Sequence, residues 1–158
     1  MSTEMKRRIF LKRSLAAGSV GFAAATGLLA PQQVLAAWNK TAFEAKDLDG
    51  ALNALLGSAD MAESGDIKVK APDIAENGAV VPVTVETDMS GVESIAVIAS
   101  NNPVPLVANF VLGPGAVSYV STRIKMGKTG DVIGVVKAGG KLYSAKKEVK
   151  VTIGGCGG

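Results

Sequence analysis

VIGVVKAGGKLYSAKKEVKVTI, residues 132–153, decides the fold. Val132 to Val136 is an apolar, β-branched run, and Leu142 to Ile153 ends with Val149, Val151 and Ile153 alternating against Glu148, Lys150 and Thr152. Between them, Ala138-Gly139-Gly140 supplies two residues that accept positive φ, so the stretch predicts a β-hairpin. The same period-two pattern recurs upstream. Val81, Val83 and Val85 define one strand face, Ile95, Val97 and Ala99 a second, Leu106, Ala108 and Phe110 a third, and Val120, Thr122 and Ile124 a fourth. With an opening strand near Ile67 to Val69, the total is about seven.

Turn signals separate these strands at Glu76-Asn77-Gly78, Ser90-Gly91, Gly113-Pro114-Gly115 and Lys128-Thr129-Gly130. No helix-length segment lies between consecutive strands, which excludes a parallel α/β sheet. The expected fold is all-β: an immunoglobulin-like β-sandwich without the disulfide of antibody domains. Asn102-Pro103-Val104-Pro105 is read as a loop, because its prolines cannot donate to a central ladder. Aromatic residues make up only 4% of the chain, so Val, Ile, Leu and Ala must fill the core. Ahead of the strands, Trp38, Ala42, Phe43, Ala45, Leu48, Leu52, Leu55 and Leu56 recur at spacings of three and four, predicting one or two short amphipathic helices stopped by Gly57. Trp38 is read as a packing anchor for this helical segment.

The chain has 158 residues, enough for one domain and a short appendage. Its formal charge of +3 is unevenly spread: Lys6, Arg7, Arg8, Lys12 and Arg13 face only Glu4 in residues 1–36, and the remainder is slightly acidic. The basicity therefore does not indicate nucleic acid. With no His and a single Cys, the chain can form no His-based metal site, no Ser/His/Asp or Cys/His arrangement and no internal disulfide. No catalytic residue and no metal ligand set is assigned.

Residues 1–36 have the three parts of an export signal: a basic start, an apolar run from about Leu15 to Ala30, and small residues before a boundary. Arg7-Arg8-Ile9-Phe10-Leu11-Lys12 resembles the twin-arginine pattern, with Lys6 where Ser or Thr is usual. The run is too short and too glycine-rich for a stable membrane span. Cleavage is expected after Ala36, with Ala37 as the alternative. Twin-arginine export moves folded proteins, usually after a cofactor or a partner has bound. No dinucleotide loop, Cys pair or haem-attachment motif is present, so a partner carried across without its own signal is the simpler expectation.

The expected organisation is thus a signal peptide over 1–36, a helix-plus-sandwich domain over 37–153, and an arm over 154–158. In that arm, Gly154-Gly155-Cys156-Gly157-Gly158, the only thiol sits among four glycines. Glycine resists ordering and offers no side chain to pack, so the arm is expected to be flexible and the thiol accessible. Three extended residues beyond Ile153 place the Cys156 backbone roughly 10 Å past the last strand. Such an arm suits entry into a narrow channel of another protein. Nothing in the sequence activates the thiol, and at an ordinary pKa of about 8.5 only a few per cent is ionised at neutral pH. Chemistry on Cys156 must come from elsewhere, so the chain reads as a carrier rather than an enzyme.

The twin-arginine start, the helix with Trp38 and Phe43, the β-rich body with Ser121-Thr122-Arg123-Ile124-Lys125, and above all Lys150-Val151-Thr152-Ile153-Gly154-Gly155-Cys156-Gly157-Gly158 together resemble the SoxY family, the sulfur carriers of thiosulfate-oxidising Sox systems. The resemblance implies a periplasmic heterodimer with a SoxZ-like subunit. It also implies that Cys156 is the covalent attachment point for sulfur intermediates, with Gly154, Gly155, Gly157 and Gly158 as hinge and clearance. The implied partners are a c-type cytochrome that conjugates thiosulfate, a manganese-dependent sulfohydrolase and, where present, a molybdenum-haem sulfane dehydrogenase. Their metals belong to them, and this chain's only bound group would be the sulfur on Cys156. Two other readings stay open from the residues alone: an exported structural sandwich that cross-links through Cys156, and a thiol redox protein, which would need a resolving Cys that the chain lacks.

Overall fold

Alternating valines, paired glycines and a short helical prelude produce the expected elements in the computed structural model, which describes residues 39–152. The residues read as an export signal, Arg7, Arg8, Phe10, Leu11 and Lys12, the expected cleavage positions Ala36 and Ala37, Trp38, Ile153, and Gly154, Gly155, Cys156, Gly157 and Gly158 lie outside the described residues.

The helical segment is two helices, α1 (Lys40–Glu44) and α2 (Leu48–Leu56). Each begins at a side-chain cap: Asn39 Oδ1 accepts from Ala42 N at 3.1 Å and Asp47 Oδ1 from Gly50 N at 2.7 Å. Asn39 also donates from Nδ2 to Ala54 O at 2.6 Å, which ties the start of α1 to the end of α2. Gly57 ends α2 as expected, with φ of +83° and its N–H on Asn53 O.

Nine strands follow among the described residues. β1 (Ala62–Glu63), β2 (Ile67–Lys70), β3 (Ile74–Ala75), β4 (Val81–Thr87) and β5 (Val92–Ala99) precede β6 (Leu106–Val111), β7 (Tyr119–Ile124), β8 (Gly130–Ala138) and β9 (Lys141–Val151). One sheet has the order β1-β9-β8-β5-β6, with β3 also on β9, and the other is β2-β4-β7. All seven expected strands are present, and the fold is the expected immunoglobulin-like sandwich. The additional two, β1 and β3, are two-residue parallel ladders on β9, too short to show any periodicity. The hairpin between β8 and β9 turns at Gly139 (φ +56°) and Gly140 (φ +74°), the doubly positive geometry that matches strand twist.

Between the sheets lies a core of Val81, Val83, Val85, Ile95, Val97, Val132, Val136 and Val149, all almost fully buried. A second cluster joins Ala42, Ala51 and Leu52 of the helices to Ala96, Ile98, Leu106 and Val135 on the opposite face of the larger sheet. The helices therefore form a third layer, and β5 is buried on both faces from Ser94 to Ala99 rather than alternating. The single face expected for Leu106, Ala108 and Phe110 does not hold. A register shift between Val97 and Ile98 puts Leu106 in the helix-side cluster, while Ala108 and Phe110 pack on the inter-sheet core.

Two glycines mark close approaches rather than turns. Gly130, read from sequence as a turn residue, instead opens β8, and a Cβ there would meet Asn101 Nδ2 at 2.9 Å. A Cβ on Gly134 would meet Val85 Cγ1 at 2.9 Å, Val85 Cγ2 at 3.1 Å and Val69 Cγ2 at 3.1 Å. Rotating Val85 exchanges one methyl for the other, so the facing sheet has no easy escape. Gly134→Ala is expected to lower stability by about 1–3 kcal/mol through overpacking. A urea midpoint equal to that of the parent chain would show that the sheets can separate locally.

Candidate functional site

The chain leaves the sandwich toward its only cysteine at the end of β9, so the geometry of that exit sets where the tail begins. β9 runs antiparallel to β8 from Ala138↔Lys141 to Gly130↔Val149. On its other side β3 takes over at the exit: Lys150 N donates to Asp73 O at 2.9 Å and Thr152 N to Ala75 O at 3.1 Å. Thr152 Oγ1 adds a bond to Glu76 O at 3.3 Å, and Lys147 Nζ pairs with Asp73 Oδ1 at 3.0 Å.

β8 starts at Gly130 and cannot pair with β9 beyond Val149. There a side chain replaces the ladder, as Val151 N donates to Thr129 Oγ1 at 2.9 Å. Thr129 is held in turn by Asn101, whose Nδ2 donates to Thr129 O at 2.7 Å. The next loop is braced by Asn102, with Nδ2 on Lys125 O at 2.7 Å and Oδ1 accepting from Gly127 N at 3.0 Å. Asn102-Pro103-Val104-Pro105 is the loop expected from its prolines, and its first residue is a cross-loop strut. Met126 N, donating to Gly78 O at 2.7 Å, ties in the β3–β4 connection.

The backbone is consequently fixed on both sides through Val151 and on the β3 side at Thr152. None of the site residues expected from sequence lies within the described residues: Cys156 and Gly154, Gly155, Gly157 and Gly158 all follow them. The structure instead reveals their support, which sequence reading missed. Thr129 and Asn102 were read only as turn and loop residues, and the hydrogen bonds of Thr129, Asn101 and Asn102 gave no local signal, because each reaches a residue more than twenty positions away. Lys125, Lys128 and Lys150 are exposed at this end.

Among the described residues, no group of three or more His, Cys, Asp or Glu is placed to hold a metal ion, and no helix is long and apolar enough to cross a membrane. Glu93 has its carboxyl held below the ordinary range, first by the Gly140 N–H at 3.0 Å and then by Lys137 at 3.3 Å. That pair secures the β8–β9 turn, at the opposite end of β9 from the tail.

The described residues thus form an immunoglobulin-like sandwich whose last strand is braced up to Thr152, four residues before the glycine-flanked cysteine. The family model described as "Sulfur oxidation protein SoxY" matches residues 52–156, a match that spans most of the sandwich and reaches Cys156. The chain belongs to the SoxY family. A solved structure of the sulfur carrier protein SoxY from Chlorobium limicola f thiosulfatophilum is 50% identical, with a TM-score of 0.62 over 68% of this chain and 97% of that one. A superoxide reductase (neelaredoxin) from Ignicoccus hospitalis is 21% identical, with a TM-score of 0.49 over 54% of this chain and 79% of that one, and no functional reading follows from it. No curated protein matches the chain.

Thr129→Val removes the acceptor for the Val151 amide while keeping the side chain's shape. Loss of that bond, worth about 1 kcal/mol, is expected to speed hydrogen exchange at Val151 roughly five-fold, and Thr129→Ser is expected to restore protection. Unchanged exchange in the valine variant would mean that β3 alone fixes the exit.

Proposed function

We propose that the chain carries sulfur intermediates covalently on Cys156 during periplasmic thiosulfate oxidation, as one half of a heterodimer with a SoxZ-like subunit, after export by the twin-arginine route. The observation that carries this reading is the family match through Cys156, together with the solved sulfur carrier that is 50% identical over 68% of this chain. The braced exit of β9 supports it further, since a carrier needs a fixed base from which to present its thiol.

The chemistry is assigned to partners, and Cys156 is their substrate. A c-type cytochrome joins the Cys156 sulfur to the terminal sulfur of thiosulfate: a sulfur–sulfur bond forms, the thiol proton is released and the electron pair passes to the haems. The product is a cysteine S-thiosulfonate. A manganese-dependent sulfohydrolase then adds water across the bond to the sulfonate sulfur, releasing sulfate and a proton and leaving a persulfide. Where a sulfane dehydrogenase is present it would take six electrons from the outer sulfur while three waters supply its oxygens and six protons leave, giving the sulfonate; a second hydrolysis then releases sulfate and returns the free thiol, and without that enzyme the outer sulfur passes to another acceptor. Gly154, Gly155, Gly157 and Gly158 give the clearance that lets one cysteine enter several active sites.

Cys156→Ser is expected to abolish thiosulfate-dependent electron transfer in a reconstituted system while leaving the melting temperature unchanged. Retained turnover would exclude the carrier role. Replacing Gly155 and Gly157 together by Val keeps the thiol but adds β-branched bulk, and is expected to slow turnover by about ten-fold or more with the same reactivity toward a small thiol reagent. Equal turnover would show that slimness of the tail is irrelevant.

A further inference from the structure

Glu76-Asn77-Gly78, read from sequence as a turn, lies between β3 and β4, where its flanking residues hold the exit of β9 and the β7–β8 connection. Glu76 O accepts from Thr152 Oγ1 at 3.3 Å, and Gly78 O accepts from Met126 N at 2.7 Å. Asn77, between them, is exposed and takes no part in either bond. Its side chain folds forward along its own backbone, with Oδ1 accepting from Ala79 N at 2.9 Å.

This turn assembles the parts of an intramolecular acyl transfer. Bonding forward to residue 79 brings the carboxamide carbon Cγ toward the intervening Gly78 amide, the nitrogen that closes a five-membered ring when it attacks. Gly78 N–H has no hydrogen-bond acceptor among the described residues, so no such bond must break first. Glycine also has no Cβ to shield that nitrogen. Ala79 N–H already points at Oδ1, the atom on which negative charge grows as the tetrahedral centre forms.

None of the other five asparagines combines these features. The Asn39 carboxamide is held at both ends, by Ala54 O and by Ala42 N. Asn53 lies inside α2, and Asn109 lies inside β6, where the next residue, Phe110, pairs with Ile95. The amide after Asn101 is bonded, Asn102 N to Ala99 O at 3.1 Å, and Asn102 precedes Pro103, which has no N–H.

We propose that Asn77 is a self-modification site, converting through a succinimide to isoaspartate and thereby releasing the β3–β4 connection from the β7–β8 loop. The bond from Gly78 N to Asn77 Cγ forms as the Cγ–Nδ2 bond breaks, and the Gly78 amide proton departs with Nδ2 as ammonia. One water then opens the ring, with no change of oxidation state. Opening at Cγ gives aspartate. Opening at the main-chain carbonyl routes the chain through the former side chain, which adds a methylene between Glu76 and Gly78 and leaves a free carboxylate. The lengthened link shifts Gly78 O away from Met126 N, while Glu76 O keeps its place beside Thr152. The site acts on the support of the β9 exit and does not depend on what Cys156 carries.

The test ages the purified full chain in neutral buffer and maps its peptides by mass spectrometry, with fragmentation that separates isoaspartate from aspartate. Conversion at Asn77 is expected to run about ten-fold or more ahead of every other asparagine. The more acidic product, isolated by ion exchange, is expected to show roughly five-fold faster hydrogen exchange at Met126, as the loss of one backbone bond requires. Asn77→Ser keeps an oxygen that accepts from Ala79 N but has no amide nitrogen to expel. Aged alongside, it is expected to form about ten-fold less acidic product and to keep its Met126 exchange unchanged. An aged parent chain with Asn77 intact, or with another asparagine converted first, would overturn the site. Isoaspartate at position 77 with Met126 exchange unaltered would overturn the release of the connection.

Discussion

Most of the structure depends on the pairing of β9 along both of its sides. β8 holds it for nearly its whole length, β1 takes the outer edge at Tyr143 and Ser144, and β3 takes it at Lys150 and Val151. One strand thus links the hairpin turn at Gly139-Gly140 to the exit of the tail. The two short parallel ladders contribute little core, but they convert a sheet edge into an interior strand. Without them the last residues before the tail would fray, as chain ends ordinarily do.

The sandwich core is aliphatic, and the helices cover the outer face at Ala96, Ile98 and Val135. What the fold supplies at the end of β9 is a fixed origin, at Thr152, for the residues that lead to the cysteine. At the other end of β9 the Glu93 carboxylate, stabilised by Gly140 N–H and Lys137, fixes the hairpin turn.

Local chemistry was legible in the sequence and long-range chemistry was not. The alternation of Val81, Val83 and Val85 against polar neighbours, and the glycines at 57, 139 and 140, act through their own backbone and were read correctly. In β5 the shared face of Ile95, Val97 and Ala99 was legible, but the burial of its second face under the helices was not, a tertiary effect invisible in a window of eight residues. The bulge opposite Val97 and Ile98 split a face that strict alternation had kept whole. Thr129 and Asn101 were missed for the same reason, since a hydroxyl or amide bonding to a distant strand leaves no periodic trace. The cysteine among four glycines was legible at once, because composition alone sets it apart.

The central claim is that Cys156 carries sulfur covalently, and intact mass spectrometry of the protein isolated from cells growing on thiosulfate tests it most directly. The account predicts added mass on the C-terminal peptide, assigned by fragmentation to Cys156, corresponding to a thiosulfonate or to extra sulfur and removed by reduction. A Cys156 found only as free thiol or as a plain disulfide under those conditions would contradict it.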